Sequence, residues 1–444
     1  MKIVRRKLRS VILLCTNNVG WLVLAKIYIM LVIIYSIYLI DPFVIRKEIG
    51  KTFVNKTSEK TPLILVWTHL QKQYIDWFYN VPIDEKEYRD LLSLKKEISP
   101  LNCPSSCSIT LNRNLIESSD AVLISLYDMN ICLYLNKFMA DVVDILTFGT
   151  LHSFLCWFPS SNFGANKDVF LFFHEPPNIL FSHMNKNWAL QYLENRVDYT
   201  ISYRRDSTIF TPYISSQLKF KSHHNSSNPS IKSLSAKSKV HVKIAWMVSN
   251  CNTASKREEY VAILSKYVEV LVIGKCGEDI CSLLEYSVND CMDHLISEGF
   301  NFYLSFENEI CSDYLTEKFD KTLSHDIVPI VMSGSLNSIQ DILPPKSGYI
   351  DVSDFESPED LSNYLLSMTK EQWISFMEWK RNGAKLRDSD IGNKRMFGSH
   401  SNYVCKLCHF VSQETELKAA YSIRDSFINW WNAQICLYSW RNLM

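Results

Sequence analysis

Short apolar runs alternate with predicted helical segments through the second half of this chain, and this pattern is compatible with few folds. Val242–Val248, Glu269–Ile273 and Phe302–Phe306 have the character of buried strands, and Ser255 with Glu258 predicts a capping box at the start of the first intervening helix. Strands and helices that alternate in this way predict a mostly parallel sheet and an α/β fold. The motif GxGxxG follows none of these runs, so an ordinary dinucleotide fingerprint is absent.

The first half has the same character with fewer clear helices. Its predicted strands are Leu63–Trp67, Ala121–Ser125, Val169–Phe173 and Tyr199–Tyr203. Residues 215–240 are rich in Ser and Lys and predict a linker. We therefore expect one domain at 61–214, a second at 241–400, and a tail at 401–444 that packs back on the first domain.

Residues 129–165 do not fit this alternation, because they contain long apolar stretches with few charges. A buried helical insertion, a loop that touches a membrane and an artefact of the gene model all explain them. The sequence does not choose among the three.

The first 60 residues differ from the body in charge. The chain has 47 Lys and Arg against 47 Asp and Glu, and this balance argues against a nucleic-acid-binding protein. Residues 1–60, however, hold 11 basic and 3 acidic side chains. The apolar segment 21–40 is long enough to span a bilayer. Its flanking charges predict a cytoplasmic tail at 1–20, a transmembrane signal-anchor at 21–40, a stem at 41–60 and a lumenal body. A cleaved signal peptide is the disfavoured alternative, since no clear cleavage site follows.

Two further features fit a lumenal body. Asn55 and Asn225 lie in glycosylation sequons. The chain also has 13 cysteines, many of which should form disulfides in a secretory compartment. The closely spaced pairs are Cys103/Cys107 and Cys405/Cys408. The spacing of the second pair is also compatible with zinc, but a lumenal location favours oxidation over metal binding.

The residues that follow predicted strands are the first candidates for a site, because ligands in open parallel sheets bind beyond the carboxyl ends of the strands. If Asp313, after Phe302–Phe306, caps a helix, then Tyr314, Glu317 and Lys318 share one face. A lysine in a first turn opposes the helix dipole, and an anionic ligand there would relieve the conflict. A surface pattern of Glu and Lys explains the spacing equally well.

Four more charged residues follow predicted strands. Arg257 is a candidate diphosphate clamp, since a guanidinium binds phosphate in a bidentate fork, and a solvated charge is the alternative. Glu175 is a candidate general base, because burial at a strand mouth raises a carboxyl pKa, and a loop-capping carboxylate is the alternative. Arg204 and Arg205 would either hold phosphate or form an ion pair with a neighbouring acid.

Taken together, these segments resemble the α1,3-fucosyltransferases. The blocks that carry the resemblance are DYTISYRRDSTIFTPY (198–213), KIAWMVSNCNTASKREEYV (243–261), VLVIGKCG (270–277), NFYLSFENEICSDYLTEKFDKTLSHDIVPIVMSG (301–334), SGYIDVSDFESPEDLSNYL (347–365) and CKLCHFV (405–411). Weaker blocks are LILVWTH (63–69), CSITLNRNLIESSDAVLIS (107–125) and VFLFFHEPPNI (169–179). The resemblance covers nearly all of 61–436 apart from 126–168.

The resemblance implies a GT-B fold, in which two Rossmann-like domains face a cleft. The first domain would face the acceptor, and the second would bind GDP-fucose. It implies inverting transfer of fucose to a GlcNAc hydroxyl on a glycoprotein or glycolipid glycan, with an α1,3 linkage. No metal is required in such folds, although manganese often stimulates related enzymes. The implied setting is the Golgi membrane, as a single-pass type II protein with a lumenal catalytic body.

Residue roles carry over by position. The family's base falls on Glu175, where E-P-P replaces the usual E-S-P. The donor-binding positions fall on Arg257, Asn308, Tyr314, Glu317, Lys318, Arg204 and Arg205. The His-His-Arg run usual in Lewis-type members is replaced by Ser125-Leu126-Tyr127-Asp128. This departure leaves the acceptor open among antenna LacNAc, LacdiNAc and the innermost GlcNAc of an N-glycan.

Two further expectations complete the interpretation. Cys405 and Cys408 should bond to cysteines near Cys103 and Cys107, which would pin the tail to the first half; the pairing within that set stays open. The alternative function is an inactive fucosyltransferase-like protein that binds glycans or partners.

Overall fold

A computed structural model of the chain describes residues 61–68, 105–127, 167–182, 186–214, 238–283, 287–381, 403–423 and 426–443. All of them belong to one compact unit, Thr61–Met444. Several sequence predictions lie outside the described residues, namely those for 1–60, 129–165, most of the 215–240 linker, Asn55, Asn225 and Cys103. Within the described ranges, we find no helix with the length and apolar character that crossing a membrane requires.

The first half forms a six-stranded parallel sheet. Its strands are β1 (Leu63–Val66), β2 (Ser108–Thr110), β3 (Ala121–Ser125), β4 (Asp168–Phe172), β5 (Tyr199–Ser202) and β6 (Ile209–Phe210), in the order β2-β1-β3-β4-β5-β6. Every neighbouring pair is parallel. Its helices are Pro177–Leu180 and Lys186–Leu193, with a 3-10 helix at Arg113–Ser118. Along β3, Leu123 packs on one face of the sheet and Val122 on the other. Burial on both faces explains why these strands are apolar throughout rather than alternating.

The second half forms a five-stranded parallel sheet. Its strands are β7 (Lys243–Met247), β8 (Glu269–Ile273), β9 (Phe302–Phe306), β11 (Val328–Met332) and β12 (Ile350–Asp351), in the order β12-β11-β9-β7-β8. All pairs are parallel. The α-helices are Arg257–Leu264, Ile280–Leu283, Val288–Ser297, Glu317–Leu323, Pro358–Ser367, Lys370–Ser375 and Glu378–Arg381, and the 3-10 helices are Asn337–Ile342, Lys346–Gly348 and Val352–Asp354. The predicted α/β class with parallel sheets is therefore confirmed.

Two predicted helix starts are wrong, and both corrections bear on the site. The helix Arg257–Leu264 has Lys256 at its N-cap, in a left-handed conformation with φ 56°. Ser255 does not cap it, because its hydroxyl donates instead to the Glu307 carbonyl at 2.8 Å. A tertiary contact with the end of β9 thus replaces the local capping box.

The second correction concerns the segment after the short strand β10 (Ile310–Cys311). The helix expected to begin at Asp313 begins at Glu317, and Thr316 is its N-cap. Asp313 has φ 64° and lies in the preceding turn. Tyr314 therefore precedes the helix, and it does not share a helical face with Glu317 and Lys318.

The C-terminal segment contacts both sheets. It contains the helices Tyr403–Val411, Thr415–Ala419 and Phe427–Asn432, the strand β13 (Cys436–Leu437) and the 3-10 helix Trp440–Asn442. Tyr403–Val411 packs into one core cluster of the first sheet, and Trp431 packs into the other. β13 pairs antiparallel with β10 (Ile310–Cys311), and Trp440 joins the core of the second sheet. The C-terminal segment thus packs on the first half, as predicted, and it also contacts the second half, which was not predicted.

Disulfides link the C-terminal segment to both halves. Cys107–Cys408 ties the segment to the first half, and Cys311–Cys436 ties it to the second. Cys405 is also disulfide-bonded. The bonds Cys251–Cys276 and Cys281–Cys291 lie within the second half.

Candidate active site

The carboxylate of Glu175 lies beside side chains of the second half. Glu175 follows the fully buried end of β4, and Pro176 and Pro177 stiffen the backbone immediately after it. The Tyr314 hydroxyl donates to Glu175 Oε2 at 3.4 Å. The chain thus brings together two residues that are 139 positions apart in sequence.

Burial raises the pKa of the Glu175 carboxyl above its usual range. Lys318 lies close enough to lower this pKa, whereas the Glu317 and Glu307 carboxylates raise it, and the hydrogen bond from Tyr314 lowers it. Burial is the largest of these causes, so the carboxylate is more basic than an exposed glutamate. This is the environment that a general base requires.

Lys318 faces this carboxylate from a tightly bonded cluster. Its ammonium lies 2.9 Å from Glu307 Oε2, 2.9 Å from Thr316 Oγ1 and 3.3 Å from Glu317 Oε1. The side chain of Glu307 is 0% exposed, that of Lys318 21% and that of Glu317 66%. Burial by itself would lower the pKa of Lys318, but Glu307 and Glu317 outweigh it and raise the pKa. The ammonium of Lys318 is therefore fixed by hydrogen bonds and ion pairs, while part of the side chain stays exposed to solvent.

Glu307 organises the cluster. Its Oε1 accepts the Thr316 backbone N–H at 2.8 Å and the Thr316 hydroxyl at 2.8 Å. The same carboxylate thus fixes the helix N-cap and the lysine in the first turn. Because an unpaired buried charge is costly, the bonds from Lys318 and Thr316 to Glu307 stabilise the cluster.

Tyr314 is packed by aromatic rings from the first half. Its ring centroid lies 4.9 Å from that of Tyr203 and 6.2 Å from that of Tyr213. Burial raises the pKa of Tyr314 well above its ordinary value. The phenol therefore stays protonated and acts as a hydrogen-bond donor toward Glu175.

Arg257 lies behind the end of β9. Its Nη1 donates to the Phe306 carbonyl at 2.6 Å and its Nη2 to the Asn250 carbonyl at 3.1 Å, and the residue is 3% exposed. It is neither the solvated charge of the alternative interpretation nor an open clamp. Its positive charge is near enough to Lys318 to lower the pKa of that lysine. Two cations therefore share this corner, with Glu307 as their common counter-charge.

Two buried polar atoms at this corner lack a partner among the described residues. They are Arg257 Nε and Asn308 Oδ1. Leaving a buried donor or acceptor unsatisfied costs about 1–3 kcal/mol. A ligand that donates to Asn308 Oδ1 or accepts from Arg257 Nε would satisfy these atoms.

The side chains of the two arginines after β5 pair with acidic residues other than those of this cluster. Arg204 forms an ion pair with Asp206 at 2.6 Å, donates to the Trp430 carbonyl at 2.9 Å and stacks on the Trp430 ring at 3.8 Å. Its guanidinium thus fastens the C-terminal segment, as in the ion-pair interpretation. Arg205 pairs with Asp341 of the second half at 2.9 Å.

Sequence reasoning left two residues without a role. Glu307 belongs to the F-E-N block, but its partnership with Lys318 could not be read from spacing, since the backbone path between them is irregular. Glu309 is 2% exposed and lies with Cys311 and Cys436 within 4.8 Å. These two cysteines form a disulfide, so their sulfurs are not thiolate ligands for a metal.

Comparisons with known protein families agree with the blocks quoted above. Residues 234–426 match the family model described as glycosyltransferase family 10 (fucosyltransferase), C-terminal, and residues 59–214 match the model described as fucosyltransferase, N-terminal. The two models together span more than half of the chain.

Individual relatives are similar over different lengths. Glycoprotein 3-alpha-L-fucosyltransferase A of Drosophila melanogaster is 33% identical over 254 residues, which cover 55% of this chain and 46% of the fly protein. The chain thus spans about half the length of that relative. The 3-galactosyl-N-acetylglucosaminide 4-alpha-L-fucosyltransferase FUT3 of Bos taurus is 28% identical, covering 84% of this chain and 83% of the bovine protein. A crystal structure of an alpha1,3-fucosyltransferase with GDP-fucose aligns with a TM-score of 0.42 and 17% identity, over 82% of this chain and 95% of that one.

Proposed function

We propose that this chain, which belongs to the fucosyltransferases of glycosyltransferase family 10, transfers fucose from GDP-fucose to a GlcNAc hydroxyl with inversion, forming an α1,3 linkage. The observation that carries the proposal is the convergence of Glu175 with Tyr314 and Lys318 from the other half of the unit. The half-buried carboxylate of Glu175 provides a base for the acceptor, and the ammonium of Lys318 provides a counter-charge for the departing diphosphate.

Glu175 is the general base in this mechanism. As the acceptor oxygen attacks the anomeric carbon of fucose, the proton of that hydroxyl passes to the Glu175 carboxylate. The Tyr314 hydroxyl orients the carboxylate, and burial keeps it basic. The carbon–oxygen bond to GDP breaks on the opposite face, and the diphosphate leaves with the bonding electron pair. A single carboxylate is sufficient, because this leaving group needs no proton.

Lys318 stabilises the charge that develops on the diphosphate. Its ammonium is held by Glu307 and Thr316, so little reorganisation is needed when negative charge appears beside it. Arg257 adds a second positive charge from behind β9, and Asn308 and Glu317 offer polar atoms to the nucleotide or its ribose. Mutual repulsion between the two cations is reduced when an anion binds, which favours a diphosphate in this corner.

Further elements belong to the same proposal. The two parallel sheets would act as the facing domains of a GT-B enzyme, the first for the acceptor and the second for the donor. Residues 21–40 would anchor the chain in the Golgi membrane as a type II protein with a lumenal body, on the strength of their length and flanking charges. No metal is required in this scheme, and stimulation by manganese is a separate test.

A direct transfer assay tests the proposal. The secreted body, residues 41–444, is incubated with GDP-fucose and, separately, with LacNAc, LacdiNAc or a core N-glycan acceptor, and the products are identified by mass spectrometry. Addition of one deoxyhexose in an α1,3 linkage is the expected result. Binding of GDP without transfer to any acceptor would instead favour the alternative, an inactive fucosyltransferase-like protein that binds glycans or partners.

A further inference from the structure

Glu309 makes a contact between the halves that the mechanism above does not use. It lies between β9 and β10 in the second half and is almost fully buried. Its Oε2 accepts the backbone N–H of Asn178 at 3.4 Å, and the backbone of Ile179 also donates to this carboxylate. Both amides belong to the short helix Pro177–Leu180, which begins two residues after Glu175.

We infer that Glu309 is a positioning residue for transfer: by accepting these amide hydrogens, its ionised carboxylate holds the backbone that follows Glu175 against the second half. This inference rests on the proposed function of Glu175 as the base. A bond from the second half to the base-carrying loop fixes the distance between Glu175 and the Lys318 cluster, which come from separate sheets. Such positioning matters because a displacement of about 1 Å costs on the order of 100-fold in rate.

The ionisation of Glu309 makes the contact dependent on pH. Burial raises its pKa to about 7, while the amides of Asn178 and Ile179 lower it and the charge of Glu175 raises it. Among the described residues Glu309 also interacts with Tyr203, and burial raises the pKa of Tyr203 and keeps it neutral. Charge-assisted hydrogen bonds are stronger than neutral ones, so the amides are held most firmly above neutral pH.

Two substitutions separate the charge from the hydrogen-bond acceptor. Glu309→Gln keeps an acceptor oxygen of the same shape but does not titrate, whereas Glu309→Ala removes the acceptor. Wild-type kcat should rise with pH through an ionisation near 7, in addition to that of Glu175. Glu309→Gln should lose this ionisation and be roughly threefold to tenfold slower at pH 8. Glu309→Ala should lose roughly 100-fold in kcat with donor KM within about twofold.

Hydrogen–deuterium exchange provides a readout that does not depend on activity. Peptides that cover 176–182 should exchange faster in Glu309→Ala than in wild type, while peptides from β9 should be unchanged. Glu371→Gln, at an exposed carboxylate in the helix Lys370–Ser375, is the matched control and should resemble wild type in both measurements.

The outcomes are distinguishable. Unchanged exchange at 176–182 in Glu309→Ala, or a persistent ionisation near pH 7 in Glu309→Gln, would overturn the role of Glu309 even if the wild type transfers fucose. A wild type that transfers to no acceptor would instead overturn the proposed function, and the positioning role with it.

Discussion

Removal of the Lys318 side chain should weaken the fold and the binding of GDP for two separable reasons. Glu307 is fully buried, and the ammonium of Lys318 at 2.9 Å is its counter-charge. Breaking a buried pair by removing one partner costs about 3–5 kcal/mol, because the remaining charge is unpaired. Since Lys318 is partly exposed, water can enter in its place, so we expect Lys318→Met to lose about 3 kcal/mol of unfolding free energy.

The double variant Glu307→Gln/Lys318→Met separates the two effects. Glutamine keeps an acceptor oxygen for the Thr316 N–H and removes the unpaired charge. Replacing both members of a buried pair is often close to neutral. Because Glu307→Gln also removes a counter-charge of the buried Arg257, the double variant should recover at least about 1 kcal/mol of the loss but not all of it. It should still bind GDP at least about 30-fold more weakly, because the cation facing the diphosphate is gone.

Urea denaturation followed by circular dichroism gives the unfolding free energies, and titration calorimetry with GDP gives Kd. Lys266→Met, at an exposed lysine, is the matched control and should leave both unchanged. A double variant as unstable as Lys318→Met would show that the pair is not what Lys318 stabilises. Wild-type Kd for GDP in either variant would refute the diphosphate role.

Three further predictions follow from the same contacts. Glu175→Gln should lower the rate of transfer by about 10²–10⁴-fold and leave the Kd for GDP unchanged. The wild-type rate should fall with decreasing pH through a pKa above that of an exposed glutamate, because the base must be ionised and burial raises its pKa. A rate–pH profile that is flat between about pH 5 and 7 would contradict this assignment. Cys436→Ser opens a disulfide that spans 125 residues and should cost about 4–5 kcal/mol of unfolding free energy, measured in urea without reductant; an unchanged midpoint would count against it. Arg204→Ala should destabilise the protein by about 1–3 kcal/mol, mainly through loss of the hydrogen bond to the Trp430 carbonyl and of the stacking on its ring, since Asp206 is half exposed. The Kd for GDP should stay constant, and a weaker Kd would instead favour a phosphate-binding role.

Around β9, the sequence predicted the strand but not the helix caps near its end. The strand Phe302–Phe306 was located correctly, and the residues that follow it lead into the cluster around Glu307. The capping assignments failed at Ser255 and Asp313, because each side chain satisfies a long-range partner instead of the adjacent helix. Local propensity describes what a short segment prefers in isolation, and a tertiary hydrogen bond of similar strength overrides it.

The sequence by itself determined the architecture. Strands buried on both faces are largely apolar, so β3, β4 and β9 are visible as apolar runs in the sequence, and their alternation with helices predicts parallel pairing. Only the tertiary structure decided which charged residues meet. The pairs Tyr314–Glu175 and Asn178–Glu309 join positions 139 and 131 apart, and the C-terminal segment crosses from one sheet to the other. Such contacts depend on how the two halves and the tail pack, and that packing is the sum of many weak apolar contacts that no single motif encodes.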